Sequence, residues 1–434
     1  MTPGGRIAAA IELLELIARG KRPADRAISG YFRSRRYAGA RDRAAVQNQI
    51  YRVIRQLGRL RWHLAAIGAT GHVARTWVIA ELVLGEGWSR REFAEVFSGR
   101  EHDPAPLTGD EARWVDALGA QADADASMPV SAWLNYPGWL GASLVEAFGE
   151  AFVAEMRALN RPAPVDLRVN TLKASREAAL EALTAEGLEA VPTPLSPWGL
   201  RLAERVVLGN HRAFRDGLIE PQDEGSQLLA LIVGARPGET VVDLCAGAGG
   251  KTLALAAAME DRGRVIACDS APYRLRRMKP RLRRAGVGCV ELKPLQTEDD
   301  WPKVIEAQTD RVLIDAPCSG TGSWRRRPYA RWRLSPDDLV RYPLVQARLL
   351  RDGARLVKPG GRLIYATCSV LREENDEQLE GFLARHRDFK PVGVRRAWRE
   401  AVGGACPASG FALNLSPARN GTDGVYAAVM ERAA

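Results

Sequence analysis

The chain has 434 residues, 46% hydrophobic and 26% charged, which is an ordinary globular composition. That length predicts two or three domains, because single hydrophobic cores stop growing at about 250–300 residues. Lys and Arg number 62 against 52 Asp and Glu, a net charge of +10, and such a balance attracts polyanions, nucleic acid above all. The six cysteines form no C-x-x-C pair, and the five histidines have no ligand spacing with them. Neither a metal site nor a disulfide scaffold is expected, and a reducing cytoplasm is the expected compartment. The N-terminus lacks a basic-then-apolar leader, and no apolar run reaches about 18 residues, so no membrane span is expected.

Residues 1–127 read as helical. Ile7, Ile11, Leu13, Leu14 and Ile17 form one stripe at helical spacing, and Val46, Ile50, Val53, Ile54 and Leu57 form another. Arg33, Arg35, Arg36, Arg41, Arg43, Arg52, Arg55, Arg59 and Arg61 lie among these stripes, interleaved with Tyr31, Phe32, Tyr37 and Tyr51. This clustering favours an RNA-facing surface over a merely solvated one. Residues 101–127 are turn-rich and read as a linker. Residues 128–217 read as a small α/β module: Val165–Leu172 alternates like a strand, and Ser175 is placed to cap a helix that ends before Gly187.

From 218 to 434 strands and helices alternate. Strands are expected at 240–244, 264–268, 289–292, 311–314 and 362–367, giving an α/β, doubly wound, mostly parallel sheet. An antiparallel pair, 411–415 and 425–430, closes it.

Three motifs sit at the ends of these strands. The first, Pro237 to Thr252, reads PGETVVDLCAGAGGKT. Its Gly247, Gly249 and Gly250 let the backbone approach a ligand at the first strand–helix turn. The next strand ends at Asp269, where a carboxylate can accept ribose hydroxyls of a nucleotide-like cofactor. The second motif, DAPCSGTG, spans Asp315 to Gly322, and the third, TCSVLREEN, spans Thr367 to Asn375. Both fall at the carboxyl ends of strands, where ligands sit in open parallel sheets. The usual strand order makes these two strands neighbours, with Cys318 and Cys368 over one cleft. Such a set suits methylation of cytosine C5, a poor nucleophile: a thiolate adding to C6 makes C5 enamine-like, and Asp315 can hydrogen-bond the base edge.

The motifs DLCAGAGGKT, DAPCSGTG and TCSVLREEN, in this order, resemble those of the RsmB-like (Nol/Nop/Sun) RNA cytosine-5 methyltransferases. EPQDEGSQLLA (Glu220 to Ala230) and LNLSPARNGTDGVYAAVM (Leu413 to Met430) add to the resemblance, which covers nearly the whole chain. It implies a Rossmann-like catalytic domain over 218–434, an RRM-like module over 128–217 and a NusB-like RNA-binding domain over 1–127, in a monomer acting on RNA. Small-subunit ribosomal RNA is the family's default substrate. It further implies S-adenosylmethionine as cofactor, held by Cys245, Ala246, Gly247, Ala248, Gly249, Gly250 and Lys251 with Asp269 and Asp315. Cys368 would be the nucleophile and Cys318 would assist product release. The chain departs from the family's C-A-A-P-G-G-K loop: Gly247 and Ala248 stand where Ala and Pro are usual, and loss of the proline is expected to free the loop. The acidic residue usual after the third strand has no clear counterpart in Glu291 to Gln296.

The stretch Trp324 to Arg333, WRRRPYARWR, begins six residues after Cys318 and is expected to neutralise phosphates and stack unpaired bases. The basic run Arg274 to Arg284 reads as a solvated helix face. Two other readings stand beside the main one: an amino-group methyltransferase, which would leave Cys368 without a role, and a catalytically weak RNA-binding assembly factor.

Overall fold

A computed structural model of the chain describes all residues except 21–22, 36, 72, 122–126 and 296–305. Arg36, Gln296 and part of the expected linker therefore lie outside the described residues. The chain divides into two compact units, Met1–Arg161 with Trp324–Leu334, and Pro162–Ser323 with Ser335–Ala434.

The first unit is helical. Its early helices are Pro3–Arg19, Ala24–Ser34, Ala40–Arg55, Leu57–Ala66 and Val73–Glu86. The two stripes read from the sequence meet in its core, where Leu13, Leu14, Ile17, Val46, Ile50, Val53 and Ile54 are buried. Capping fixes the helix starts. Thr2 accepts the Gly5 N–H, and Ser89 and Thr108 form capping boxes with Glu92 and Glu111.

Two expectations for this unit need correction. Trp324, Arg325, Tyr329 and Arg331 are buried, so most of this segment packs inside the helical unit and only Arg327 is exposed. Arg331 donates Nη1 to the Asn135 carbonyl at 2.6 Å and Nη2 to the Leu159 carbonyl at 3.2 Å, and its guanidinium lies 4.7 Å from the Trp324 ring centre. Arg333 reaches the Ile17 and Gly20 carbonyls. Satisfied carbonyls and an aromatic face make a buried guanidinium tolerable, although burial still lowers the Arg331 pKa to about 9. The N-terminal cluster is also largely committed to internal contacts. Tyr31 and Phe32 are buried, Arg35 pairs with Glu12, and Arg52 pairs with Glu81 and Glu86. Arg33, Tyr37, Arg41 and Arg43 stay exposed.

In the second unit, β1 (Val165–Val169), β2 (Ala190–Pro192), β3 (Gly199–Leu202) and β4 (Ile219–Pro221) form an antiparallel sheet ordered β2-β3-β1-β4. Ser175 caps the helix Arg176–Ala185 by accepting the Ala178 N–H. The larger sheet has eight strands: β5 (Thr240–Asp243), β6 (Arg264–Asp269), β7 (Val290–Pro294), β8 (Thr309–Asp315), β9 (Val357–Thr367), β10 (Phe389–Val392), β11 (Ala412–Leu415) and β12 (Val425–Arg432). Their order is β10-β12-β9-β8-β5-β6-β7, with β11 on β12. The pairs from β7 to β9 are parallel, and β12 is antiparallel to β9, β10 and β11.

The inner parallel strands β5, β6, β8 and β9 carry apolar runs because helices cover both faces. Val241, Val242, Val265, Val312, Leu313, Ile314, Leu363 and Ile364 are all buried. The crossover helices are Gly250–Ala258, Pro272–Ala285 and Pro336–Leu356. This arrangement brings the ends of β5, β6, β8 and β9 to one edge of the sheet. Polar residues follow the apolar runs there: Asp243, Asp269, Asp315 and Thr367.

Candidate active site

The glycine turn after β5 is held from several sides. Gly249 adopts φ 86°, and a Cβ there would lie 2.4 Å from Met278 Cγ on the helix Pro272–Ala285. Glycine is thus required both by conformation and by close packing. The Gly247 N–H donates to Asp269 Oδ2 at 2.9 Å, and the Ala271 N–H donates to Oδ1 at 2.7 Å. Each carboxylate oxygen has two lone pairs, so these two bonds orient Asp269 without exhausting it.

Two arginines tether the turn through its carbonyls. Buried Arg168, on β1, donates to the Gly250 carbonyl and to Gln222 Oε1, each at 2.7 Å. Arg281 donates to the Ala248 carbonyl. The loop expected to be freed by its missing proline is therefore tied down by side chains instead. The basic helix Pro272–Ala285 is only partly a solvated face, since Arg281 and Arg284 turn inward to Glu220. Glu291, on β7, is paired with Arg264 at 2.7 Å.

Below the turn, Asp243 is fully buried and accepts the Thr252 hydroxyl at 2.7 Å. Burial raises its pKa to about 7. Lys251 opens the following helix and forms a 2.7 Å ion pair with Asp315 at the end of β8. Burial works against the Lys251 charge. Asp315, with Cys368 and Asp243, outweighs it and holds the ammonium above its ordinary range.

The two cysteines meet. The parallel register sets Ile314 opposite Tyr365 and Asp315 opposite Ala366, so the turns after β8 and β9 lie side by side. Cys318 Sγ and Cys368 Sγ are 3.3 Å apart, within thiol–thiol hydrogen-bond distance. All six cysteines are free thiols. The bond to Cys368 and burial raise the Cys318 pKa well above the ordinary thiol range, with Glu374 adding to the effect. Either sulfur can donate in this contact.

A buried polar cluster beneath the thiols locks the two turns together. Glu374 Oε1 accepts the Ser319 N–H at 2.8 Å and Gln346 Nε2 at 3.1 Å, and Oε2 accepts the Ser319 hydroxyl at 2.5 Å. Asn375 accepts the Thr367 hydroxyl at 2.6 Å and donates to the Ser369 carbonyl at 2.9 Å. The Gly322 N–H donates to the Cys368 carbonyl at 3.0 Å, and a Cβ on Gly322 would lie 2.0 Å from the Gly424 carbonyl oxygen. The segment before β12 thus closes on the site through a glycine–glycine contact. Asp223 completes this corner by capping the helix Glu224–Leu231 while accepting the Asp423 N–H.

Thus Cys245–Lys251, Asp269, Asp315, Cys318 and Cys368 all lie at one sheet edge. Arg168, Asp243, Thr252, Arg281, Gln346 and Glu374 join them, although the sequence reading did not single them out. The S/T-x-x-x-E-E-N pattern after β9 was the available signal for Glu374. Arg168 carried none beyond a charge inside an apolar strand. Among the described residues, no group of three or more His, Cys, Asp or Glu could hold a metal ion, and no helix is long and apolar enough to cross a membrane.

A mostly parallel sheet with a glycine turn after its central strand and an acid ending the next defines an α/β, Rossmann-like methyltransferase. Comparison with known proteins agrees. Residues 230–431 match the family model described as 16S rRNA methyltransferase RsmB/F, and residues 136–208 match that of the RsmF/B-like ferredoxin-like domain. A probable ribosomal RNA small subunit methyltransferase B of Bacillus subtilis is 35% identical over 258 residues, 59% of this chain and 58% of that protein. Its namesake in Synechocystis is 31% identical over 301 residues, 69% of this chain and 67% of that protein. The solved structure of PH0851 superposes with a TM-score of 0.81 at 28% identity, covering 100% of this chain and 99% of that one. A methyltransferase homologue from Pyrococcus horikoshii covers 70% of this chain and 97% of its own, with a TM-score of 0.60 at 28% identity. The chain belongs to the RsmB/F family of ribosomal RNA small-subunit methyltransferases.

Proposed function

We propose that this chain methylates C5 of a cytosine in small-subunit ribosomal RNA, using S-adenosylmethionine, through a covalent bond between Cys368 and C6 of the base. The observation that carries this reading is the 3.3 Å approach of Cys318 and Cys368 beside the Lys251–Asp315 pair. The resemblance to RsmB-like enzymes names Cys368 as the attacking sulfur, and Cys318 lies close enough to act on the adduct it forms. S-adenosylmethionine supplies the electrophilic methyl group.

Cys368 gives an electron pair to C6, and the charge that builds on the ring is met by a proton taken up from solvent at N3 and given back when Cys368 leaves. Asp315, oriented by Lys251, is placed to bond the N3–N4 edge and favour that protonated form. Cys318 gives its own proton to solvent and, as the thiolate, takes the C5 proton. The pair left at C5 restores the C5–C6 double bond and expels Cys368. The glycine turn fits the cofactor: its backbone is tethered from outside, and Asp269 retains acceptor capacity for ribose hydroxyls. Residues 1–127 are proposed as a NusB-like RNA platform and 128–217 as an accessory module beside the catalytic residues 218–434, all acting in the cytoplasm.

The cofactor part is tested by melting. A ligand that binds only the folded state raises its melting temperature, by about 2.7 kcal/mol of stabilisation at a hundredfold excess over Kd. S-adenosylmethionine at millimolar concentration is expected to raise Tm by several degrees, and Asp269→Ala to remove most of that shift. Absence of a shift in the wild type would remove the methyltransferase reading.

A further inference from the structure

We propose that Tyr342 is a stacking subsite for an RNA base flanking the target cytosine. This rests on the RNA-methylating reading above.

Tyr342 lies in the first half of the helix Pro336–Leu356, one turn before Gln346. Residues four apart share a helix face. Gln346 is buried, with Nε2 donating to the Pro317 carbonyl at 3.0 Å and to Glu374. That bond pins this face against the Pro317–Cys318 peptide, so Tyr342 stands beside the cysteine turn, toward the helix N-terminus. Burial raises its pKa, and Cys318 is among the groups acting on it.

The ring is half-buried and already oriented. The Arg341 guanidinium lies 4.5 Å from the ring centre and is itself anchored to Asp338 at 2.6 Å. A fixed aromatic ring beside an arginine, next to the cysteine turn, is the arrangement that takes an unpaired base and its phosphate. The target cytosine cannot use it. Its faces are taken by sulfur approaching C6 and by the methyl arriving at C5. The ring therefore serves a neighbouring nucleotide.

The test compares Tyr342→Ala, Tyr342→Leu and Tyr342→Phe in the full chain, assayed for methyl transfer to unmodified small-subunit ribosomal RNA. Loss of a base–aromatic stack predicts a KM for RNA raised about tenfold or more in the Ala and Leu variants. The kcat and the S-adenosylmethionine-induced Tm shift should stay near wild type, and Tyr342→Phe should restore KM to within about twofold. If Ala fails to fold, Leu fills the space without a π face and decides alone. An unchanged KM in Leu, or a Phe variant as weak as Ala, would overturn the stacking role while leaving the methyltransferase reading intact. A wild type that transfers no methyl group would overturn both.

Discussion

Cys318→Ala is expected to stall with RNA covalently attached, whereas Cys368→Ala should form no adduct at all. Both variants should lose turnover by at least about a thousandfold. The asymmetry follows from the order of events. The nucleophile must act before anything bonds to the base, while the assisting thiol acts only after methyl transfer. In the structure the two sulfurs are 3.3 Å apart, so both can reach one base, and the family resemblance names Cys368 as the attacking sulfur. Incubation with unmodified RNA and S-adenosylmethionine, followed by a denaturing gel, reads the outcome. An adduct in Cys368→Ala and none in Cys318→Ala would exchange the two roles and keep the chemistry. Full activity in either variant would end the two-thiol mechanism.

Glu374→Ala is expected to be the most destabilising of the single substitutions near the site. Its carboxylate, with no exposed surface, accepts the Ser319 N–H, the Ser319 hydroxyl and the Gln346 amide. Alanine leaves these donors buried and deprives them of their acceptor, at about 1–3 kcal/mol each. The Ser319 hydroxyl can turn to Thr321 or Ser369, which limits the total to about 3–5 kcal/mol. Urea denaturation should show a lower midpoint with an unchanged slope. Glu374→Gln keeps one acceptor oxygen and should lose about 1 kcal/mol. A midpoint within experimental error of wild type for Glu374→Ala would show that water or a local shift replaces the carboxylate.

Much of the catalytic sheet was legible because it is buried on both faces. Residues 240–243, 264–269, 311–315 and 362–367 carry apolar runs that end in Asp or Thr, and such an ending marks the edge where a parallel sheet binds ligands. The strand at 389–392 escaped notice. It is four residues long, contains Pro391 and lies at the sheet's edge, where proline is tolerated. Burial of polar side chains was the harder matter. Trp324 and Arg331 look like a nucleic-acid loop in sequence, yet the Arg331 guanidinium bonds carbonyls more than 160 residues away in the chain and packs on the Trp324 ring. Glu374, Gln346 and Arg168 look solvated until the fold closes over them. Charge predicts exposure only when no distant acceptor is waiting, and one sequence does not reveal distant acceptors.

The central claim is transfer to carbon 5 through a reversible bond at C6. Small-subunit ribosomal RNA carrying tritium at cytosine C5, without prior methylation, tests it directly. The account predicts that tritium is released to water in step with methyl incorporation, one for one, and that both stop in Cys368→Ala. Methyl incorporation without tritium release would place the methyl group on an exocyclic nitrogen and contradict the account.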